Sequence, residues 1–186
     1  MLENIPHSVG HALRGVRAGF GKIVSQQPDF IHCPDLINLE SEAFADGEAL
    51  PALYTHDGDR RSPPLMWSGA PADTRGLVLL VEDPDAPTPS PLTHLIAWDL
   101  PPTASDVAEG AFHPGVEGLG RNSAFQVSWL APDPPVGHGP HHYVFQIFAL
   151  DQALGFDHVP GRHALIEAMR RHVLARGVLT GIYERE

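Results

Sequence analysis

A chain of 186 residues, 42% hydrophobic and 19% charged, is long enough to bury one substantial core without disulfides or metal. Its formal net charge of -11 and pI near 5.4 run against the basic footprint of a nucleic-acid-binding surface. Cys33 is the single cysteine, so no internal disulfide forms, and no apolar run has the length of a membrane span or the core of a signal peptide. Cytoplasmic residence without integral membrane association is the expectation.

In chain order, the first feature is a stripe of Val9, Leu13, Val16, Phe20 and Ile23, spaced four, three, four and three residues apart. That is one face of a helix which Ser8 could start and which Gly10, Gly15, Gly19 and Gly21 weaken. So short a helix needs an apolar surface, either on its own subunit or in a two-fold pairing, and a homodimer is the expectation. Arg14, Arg17 and Lys22 leave a membrane-surface placement as an alternative. Residues 1–34 thus read as a helical extension and 35–186 as the domain.

Strands are predicted at 76–82, 95–100, 125–129 and 143–150, separated by Pro- and Gly-rich stretches. Leu77 to Val81 is apolar throughout, which suits a strand covered on both faces. Within 143–150, Tyr143, Phe145, Ile147 and Ala149 share one face, and Val144, Gln146, Phe148 and Leu150 the other. A helix is predicted from Arg162 to Arg176 with Gly177 as its stop, followed by a short closing strand from Val178 to Tyr183.

Two strand ends carry the chemistry. The first predicted strand runs into Asp83-Pro84-Asp85-Ala86-Pro87 and the chain returns through His94. Pro84 and Pro87 hold Asp83 and Ala86 in extended conformation. Downstream, Pro132-Asp133-Pro134-Pro135 leads through Gly137-His138-Gly139-Pro140 to His141-His142-Tyr143. Stiff loops that deliver Asp and His to two strand ends suggest one polar pocket. His141 and Tyr143 share a strand face while His142 points away, so His141 is the candidate and His142 is not. Asp85 reads as a local turn former, and His138, in a Gly-rich loop, as solvent-exposed.

Together these residues resemble the phosphatidylethanolamine-binding protein family in its bacterial Raf-kinase-inhibitor-like branch. The resemblance rests on Ser62-Pro-Pro-Leu-Met-Trp67-Ser-Gly-Ala-Pro71, the Asp83 to Pro87 turn, His94, Gly120-Arg-Asn-Ser123, the loop to Gly137, and His141-His142-Tyr143-Val-Phe145. It runs from about Asp35 to the C-terminus. The short connection between Asp83 and His94 and the ending Leu174 to Tyr183 favour the bacterial branch.

This resemblance implies a mainly β fold, a large antiparallel sheet packed on a smaller one with flanking helices, and a small pocket for anionic groups. The family's pocket pattern falls on Asp83, His94, Pro132, His141 and Tyr143. The ligand so implied is a small anion or a phospholipid head group; the alternative is a protein-interaction role, regulating a kinase or protease. Three departures bear on the ligand. The chain has Ala131 and Trp129 where the family has Gly and Tyr, Asp133 adds a negative charge, and His-Arg-Tyr becomes His141-His142-Tyr143.

An imidazole donates to an oxyanion when neutral and binds it more tightly when protonated, while a carboxylate on its other nitrogen fixes the tautomer. Asp83 then orients a histidine instead of touching the anion. No catalytic residue, cofactor or metal is expected: the histidines lack His-Glu-x-x-His spacing, and Cys33 is distant in sequence. Neither Ser90 nor Ser123 sits in a nucleophile elbow, and no phosphate-cradling Gly-x-x-x-x-Gly-Lys motif occurs.

Overall fold

The computed structural model of the chain describes residues 7–185. Its elements in order are helix α1 (His7–Ala12), strands β1 (Asn38–Glu40), β2 (Glu48–Ala49), β3 (Leu65–Ser68), β4 (Gly76–Asp83), β5 (Leu92–Leu100), β6 (Asp106–Val107) and β7 (His141–Leu150), helix α2 (Arg162–Met169) and strand β8 (Val173–Tyr183). A five-stranded sheet runs β2-β8-β7-β4-β5 and a three-stranded sheet β1-β3-β6. Every pairing is antiparallel except that of β2 with β8. This is the mainly β, two-sheet architecture the resemblance implied.

All eight residues of β4 are buried, because the large sheet is covered on both sides. Leu77, Leu79 and Val81 face the small sheet in a core with Leu39, Leu65, Trp67, Leu95, Phe145 and Ile147. Val78 and Leu80 face the other way, into a core with Ile96, Phe148, Leu165, Ile166 and Met169, which α2 closes. The division of β7 read from alternation holds: Phe145, Ile147 and Ala149 lie in the first core, Phe148 and Leu150 in the second. Truncating a side chain such as Leu80 to Ala would cost about 2–5 kcal/mol, since neither sheet face can collapse freely.

Residues 1–6 of the expected extension lie outside the described residues; the rest departs from the expected helix. Helix α1 ends at Ala12, and two 3-10 turns, Phe20–Lys22 and Val24–Gln26, follow. Gly19 adopts φ 101°, which no right-handed helix admits. The body offers this segment better partners than its own helix would. Ala18 N–H donates to the Ala86 carbonyl at 2.9 Å and Gly19 N–H to that of Pro84 at 2.8 Å. Beneath the sheet, Val24 N–H reaches Glu82 Oε2 and Ser25 N–H reaches Gln146 Oε1, both at 2.7 Å.

The stripe consequently scatters. Ile23 is buried, while Val16 and Phe20 are 49% and 45% exposed. The segment packs on its own subunit, with Val24 and Phe30 inside the second core. The continuous helix that was to carry a dimer is therefore absent among the described residues.

Two further expectations fail locally. Residues 125–129 form no strand: Asn122 Oδ1 accepts from the backbone N–H groups of Ala124 and Gln126 at 2.9 and 3.0 Å, and Phe125 takes φ 63°. An Asx-type turn replaces extended pairing there. The C-terminal helix stops at Met169, not Arg176, because Arg171 enters the left-handed region at φ 66°. Gly177 is no helix stop but a close-approach point within β8, where a Cβ would stand 2.2 Å from the Ile37 carbonyl oxygen.

Candidate functional site

Three strands end at one corner of the large sheet. Asp83 terminates β4, His94 lies near the start of β5, and Tyr143 near the start of β7. They meet at a cavity of about 570 Å³, walled by Leu92, Trp129, Leu130 and Ala131 and rimmed by His56, Arg60, Gln126 and Asp133. That volume suits a small molecule.

The placement of His94 depends on a β-bulge. Val81 pairs with Leu95 and Glu82 with Thr93, so His94 is an extra residue between two successive pairs. Strict alternation would turn His94 away from the face that Leu95 shares with Val81; the bulge re-aims it toward the cavity. Its ring stands edge-on to Tyr143, centroids 5.1 Å apart, and 6.3 Å from Trp129. His94 Nδ1–H donates to the Leu130 carbonyl at 2.7 Å. The tautomer follows, because a carbonyl only accepts: Nε2 carries the lone pair of the neutral ring.

Two buried polar atoms of residues lining this cavity, His94 Nε2 and Tyr143 Oη, have no hydrogen-bond partner among the described residues. Burial pushes the His94 imidazole below the ordinary histidine value, against the attraction of Asp83. Burial also pushes the Tyr143 phenol well above its usual range, reinforced by the negative charges of Asp83 and Asp133. Both groups are thus held neutral near pH 7, Tyr143 as a donor and His94 as an acceptor until it takes a proton.

Behind the floor, Asp83 Oδ1 accepts from the backbone N–H groups of Asp85 and Ala86 at 2.8 and 3.2 Å. Its Oδ2 lies 2.8 Å from His141 Nδ1. Asp83 therefore orients a histidine, as expected, but that histidine is His141 and not the one facing the cavity. His141 is fully buried behind Asp83. His138 is buried too, correcting the expectation of an exposed loop residue, and its Nδ1 lies 2.7 Å from His141 Nε2.

Of the five residues predicted for the pocket, Asp83, His94 and Tyr143 line the cavity together. His141 supports it from behind. Pro132 is buried in the wall, where its carbonyl accepts from His56 N–H at 2.8 Å, while its neighbours Ala131 and Asp133 face the cavity. His142 points elsewhere, as expected, toward Asp85. Asp85 is no mere turn former: it binds His142 N–H and Nδ1 at 2.8 and 2.7 Å and pairs with Arg17.

Sequence reasoning missed Arg60, His56 and Gln126, whose loops carry no strand periodicity to place them. It also missed His138, although its spacing of three from His141 is a usable signal. Asp133 adds less negative charge than expected, since Arg185 Nη1 pairs with it at 2.6 Å. Among the described residues, no group of three or more His, Cys, Asp or Glu side chains is arranged to hold a metal ion.

Two packed β sheets that bring an imidazole, a phenol and a carboxylate to one sheet corner form the fold of a known class of binding proteins. The phosphatidylethanolamine-binding protein family model matches residues 40–184, and the chain belongs to that family.

Its relatives span archaea and bacteria. A UPF0098 protein of Pyrococcus horikoshii is 39% identical over 152 residues, covering 78% of this chain and 76% of its own. A UPF0098 protein of Chlamydia trachomatis is 38% identical over 155 residues, 81% of this chain and all of its own length (100%). Among solved structures, a phosphatidylethanolamine-binding protein homolog from Chlamydia trachomatis superposes with TM-score 0.75 at 35% identity, covering 82% of this chain and 99% of that one. Escherichia coli YbcL, described as a member of the mammalian PEBP family, gives TM-score 0.75 at 27% identity over 81% and 99% of the two chains. No helix among the described residues is long and apolar enough to cross a membrane.

Proposed function

We propose that this chain is a non-enzymatic, cytoplasmic binding protein whose cavity takes a small anionic group: a phosphate, a carboxylate or the head group of a phospholipid. One observation carries the reading. His94 Nε2 and Tyr143 Oη are buried, unpartnered among the described residues and on the same cavity, and buried polar atoms of native folds are normally paired with protein, water or a ligand. Tyr143 donates to an oxyanion directly. His94 serves either a ligand that brings its own O–H or N–H, or, once protonated, an anion. Arg60 at the mouth supplies a permanent cation.

Titration of the protein with inorganic phosphate, followed on the histidine ring resonances, is the test. The His94 signal is expected to move on binding, and His94→Ala combined with Tyr143→Phe to abolish the shift while the fold persists. A wild-type spectrum indifferent to phosphate, carboxylates and phosphorylated head groups alike would remove the reading.

A protein-interaction role is the second reading, and Phe125 favours it. This aromatic is 80% exposed, held out by the Asn122 turn beside the rim residues Ala124 and Gln126. A partner that binds there would lose affinity on Phe125→Ser and keep it in the double variant above.

A further inference from the structure

Behind the cavity, three hydrogen bonds join in series: Asp83 Oδ2 to His141 Nδ1 at 2.8 Å, His141 Nε2 to His138 Nδ1 at 2.7 Å, and His138 Nε2 to the Leu13 carbonyl at 2.9 Å. All three side chains are buried. The direction of the series is fixed at one end, because the Leu13 carbonyl can only accept. His138 therefore carries its hydrogen on Nε2 and, when neutral, presents a lone pair at Nδ1. His141 must then donate from Nε2, which leaves its Nδ1 bare if the ring is neutral. A bare Nδ1 facing a carboxylate oxygen would be two acceptors at 2.8 Å with no proton between them.

Counting resolves the conflict. A carboxylate and two neutral imidazoles bring two ring hydrogens, and three contacts need three. We infer that Asp83, His141 and His138 hold one proton more than that complement, shared in the Asp83–His141 contact, and that His138 is the positioning residue which enforces it. Resting on the anion-binding reading above, the consequence is electrostatic. With the extra proton the trio has no net charge, whichever of Asp83 or His141 holds it; without the proton it is an anion directly beneath the cavity. An incoming phosphate and the proton thus favour each other, and phosphate affinity falls as rising pH strips the trio.

The surroundings agree with this assignment. Burial pushes the His138 imidazole down, and the neighbouring His141 ring pushes it further, so the added proton sits on the Asp83 side and not on His138. From the N-terminal segment, Arg17 faces the loop but is paired with Asp85, and Arg14 lies against Gly139. From β7 and its loop, His142 is engaged by Asp85, and Asp133 by Arg185. Across the cavity, His94 is held neutral by burial. Among the described residues, the carboxylates nearest Asp83 are engaged: Glu82 by Arg162, Asp85 by Arg17 and Asp133 by Arg185.

Ring-nitrogen NMR on the full chain at pH 7 tests the count, with inorganic phosphate as the ligand probe. The expected spectrum shows Nε2–H on both His138 and His141 and a separate low-field proton in the Asp83–His141 contact. A bare His141 Nε2, or no such proton, overturns the inference whatever phosphate does. His138→Gln keeps one acceptor and one donor in the series and is expected to preserve phosphate affinity within about twofold, since the proton count is unchanged.

His138→Phe frees His141 to donate from Nδ1 alone, so the proton should be lost and phosphate affinity at pH 7 should fall by about tenfold, from one added negative charge close by. Wild-type affinity in His138→Phe would overturn the coupling. Should wild type itself ignore phosphate while all three protons are present, the anion reading fails and the proton count stands.

Discussion

His94 donates from Nδ1 to the Leu130 carbonyl at 2.7 Å and so turns Nε2, its one remaining polar atom, into the cavity. Its charge state decides what that nitrogen can bind. Burial lowers its proton affinity, so in the free protein it charges only below the ordinary value of about 6.5. An anion bound beside it would favour the imidazolium, so binding takes up a proton and strengthens as pH falls below that value. Phosphate titrations at pH 5 and pH 7 should show tighter binding at the lower pH. In His94→Asn this component should vanish.

Folding stability should move the other way. His94 and His138 both have lowered proton affinity in the fold, for which burial is the main cause. In unfolded chain the same residues take protons at about pH 6.5, so acidification through that point favours the unfolded state, and stability rises with pH across the window below it. Urea midpoints of the ligand-free protein should fall from pH 7 to pH 5. A midpoint that rises instead would mean the histidines gain, not lose, proton affinity on folding.

Asp83 separates positioning from charge. In Asp83→Asn the amide oxygen can still accept from the Asp85 and Ala86 N–H groups, and its NH₂ can donate to His141 Nδ1. The series of hydrogen bonds is then complete without an added proton, so this variant should fold well and lose any pH dependence that the trio imparts to phosphate binding. Asp83→Ala leaves those donors and the ring without a partner, at a cost of about 1–3 kcal/mol. Denaturant unfolding of the two variants measures the difference.

Glu82 holds the opposite face of the same strand end. Its Oε1 lies 2.6 Å from Arg162 Nε, and its Oε2 accepts from Val24 N–H and Gln146 Nε2 at 2.7 and 2.8 Å. A buried carboxylate with this many partners is stable only while all are present. Arg162→Ala strips its cation and should destabilise the fold by about 3–5 kcal/mol. Glu82→Gln should cost less, since it removes the buried charge and leaves a guanidinium that is 25% exposed and can turn to water. The urea midpoints of both variants check the order.

How much of this was legible depended on whether the information was local. The β4 strand, the two faces of β7 and the two strand ends that bear Asp and His follow from apolar runs, alternation and proline-stiffened turns, all short-range signals, whereas the grouping of Asp83, His94 and Tyr143 came from the family resemblance. The bulge at His94 has no such signal, since it arises from how β4 and β5 pair. Nor did the stripe from Val9 to Ile23 reveal its fate. Helical spacing there lost to the Ala86 and Pro84 carbonyls, far along the chain, which accept from the Ala18 and Gly19 N–H groups that the helix would have used. His138 looked like an exposed loop residue because nothing local says that Leu13 covers it.

The N-terminal segment is fastened beside the site by Asp85, which pairs with Arg17 and with both the backbone and the ring of His142. Arg17 also reaches the Pro140 carbonyl at 2.9 Å, so one guanidinium bridges the two loops that bear the site. Burial alone would raise the Asp85 carboxyl, but the hydrogen bonds from His142 and the Arg17 cation outweigh it and hold the group below its ordinary value. A depressed carboxylate contributes stability that is present above its unfolded value of about 3.9 and lost only as pH falls through the folded one. The fastening should therefore survive acidification to pH 5, where the histidines already weaken the fold. Amide hydrogen exchange reads this directly at Ala18 and Gly19, whose N–H groups donate to Ala86 and Pro84. Arg17→Ala should speed exchange at both amides at pH 7 while leaving β4 protected. Unchanged protection at Ala18 and Gly19 would show that the backbone contacts alone hold the segment.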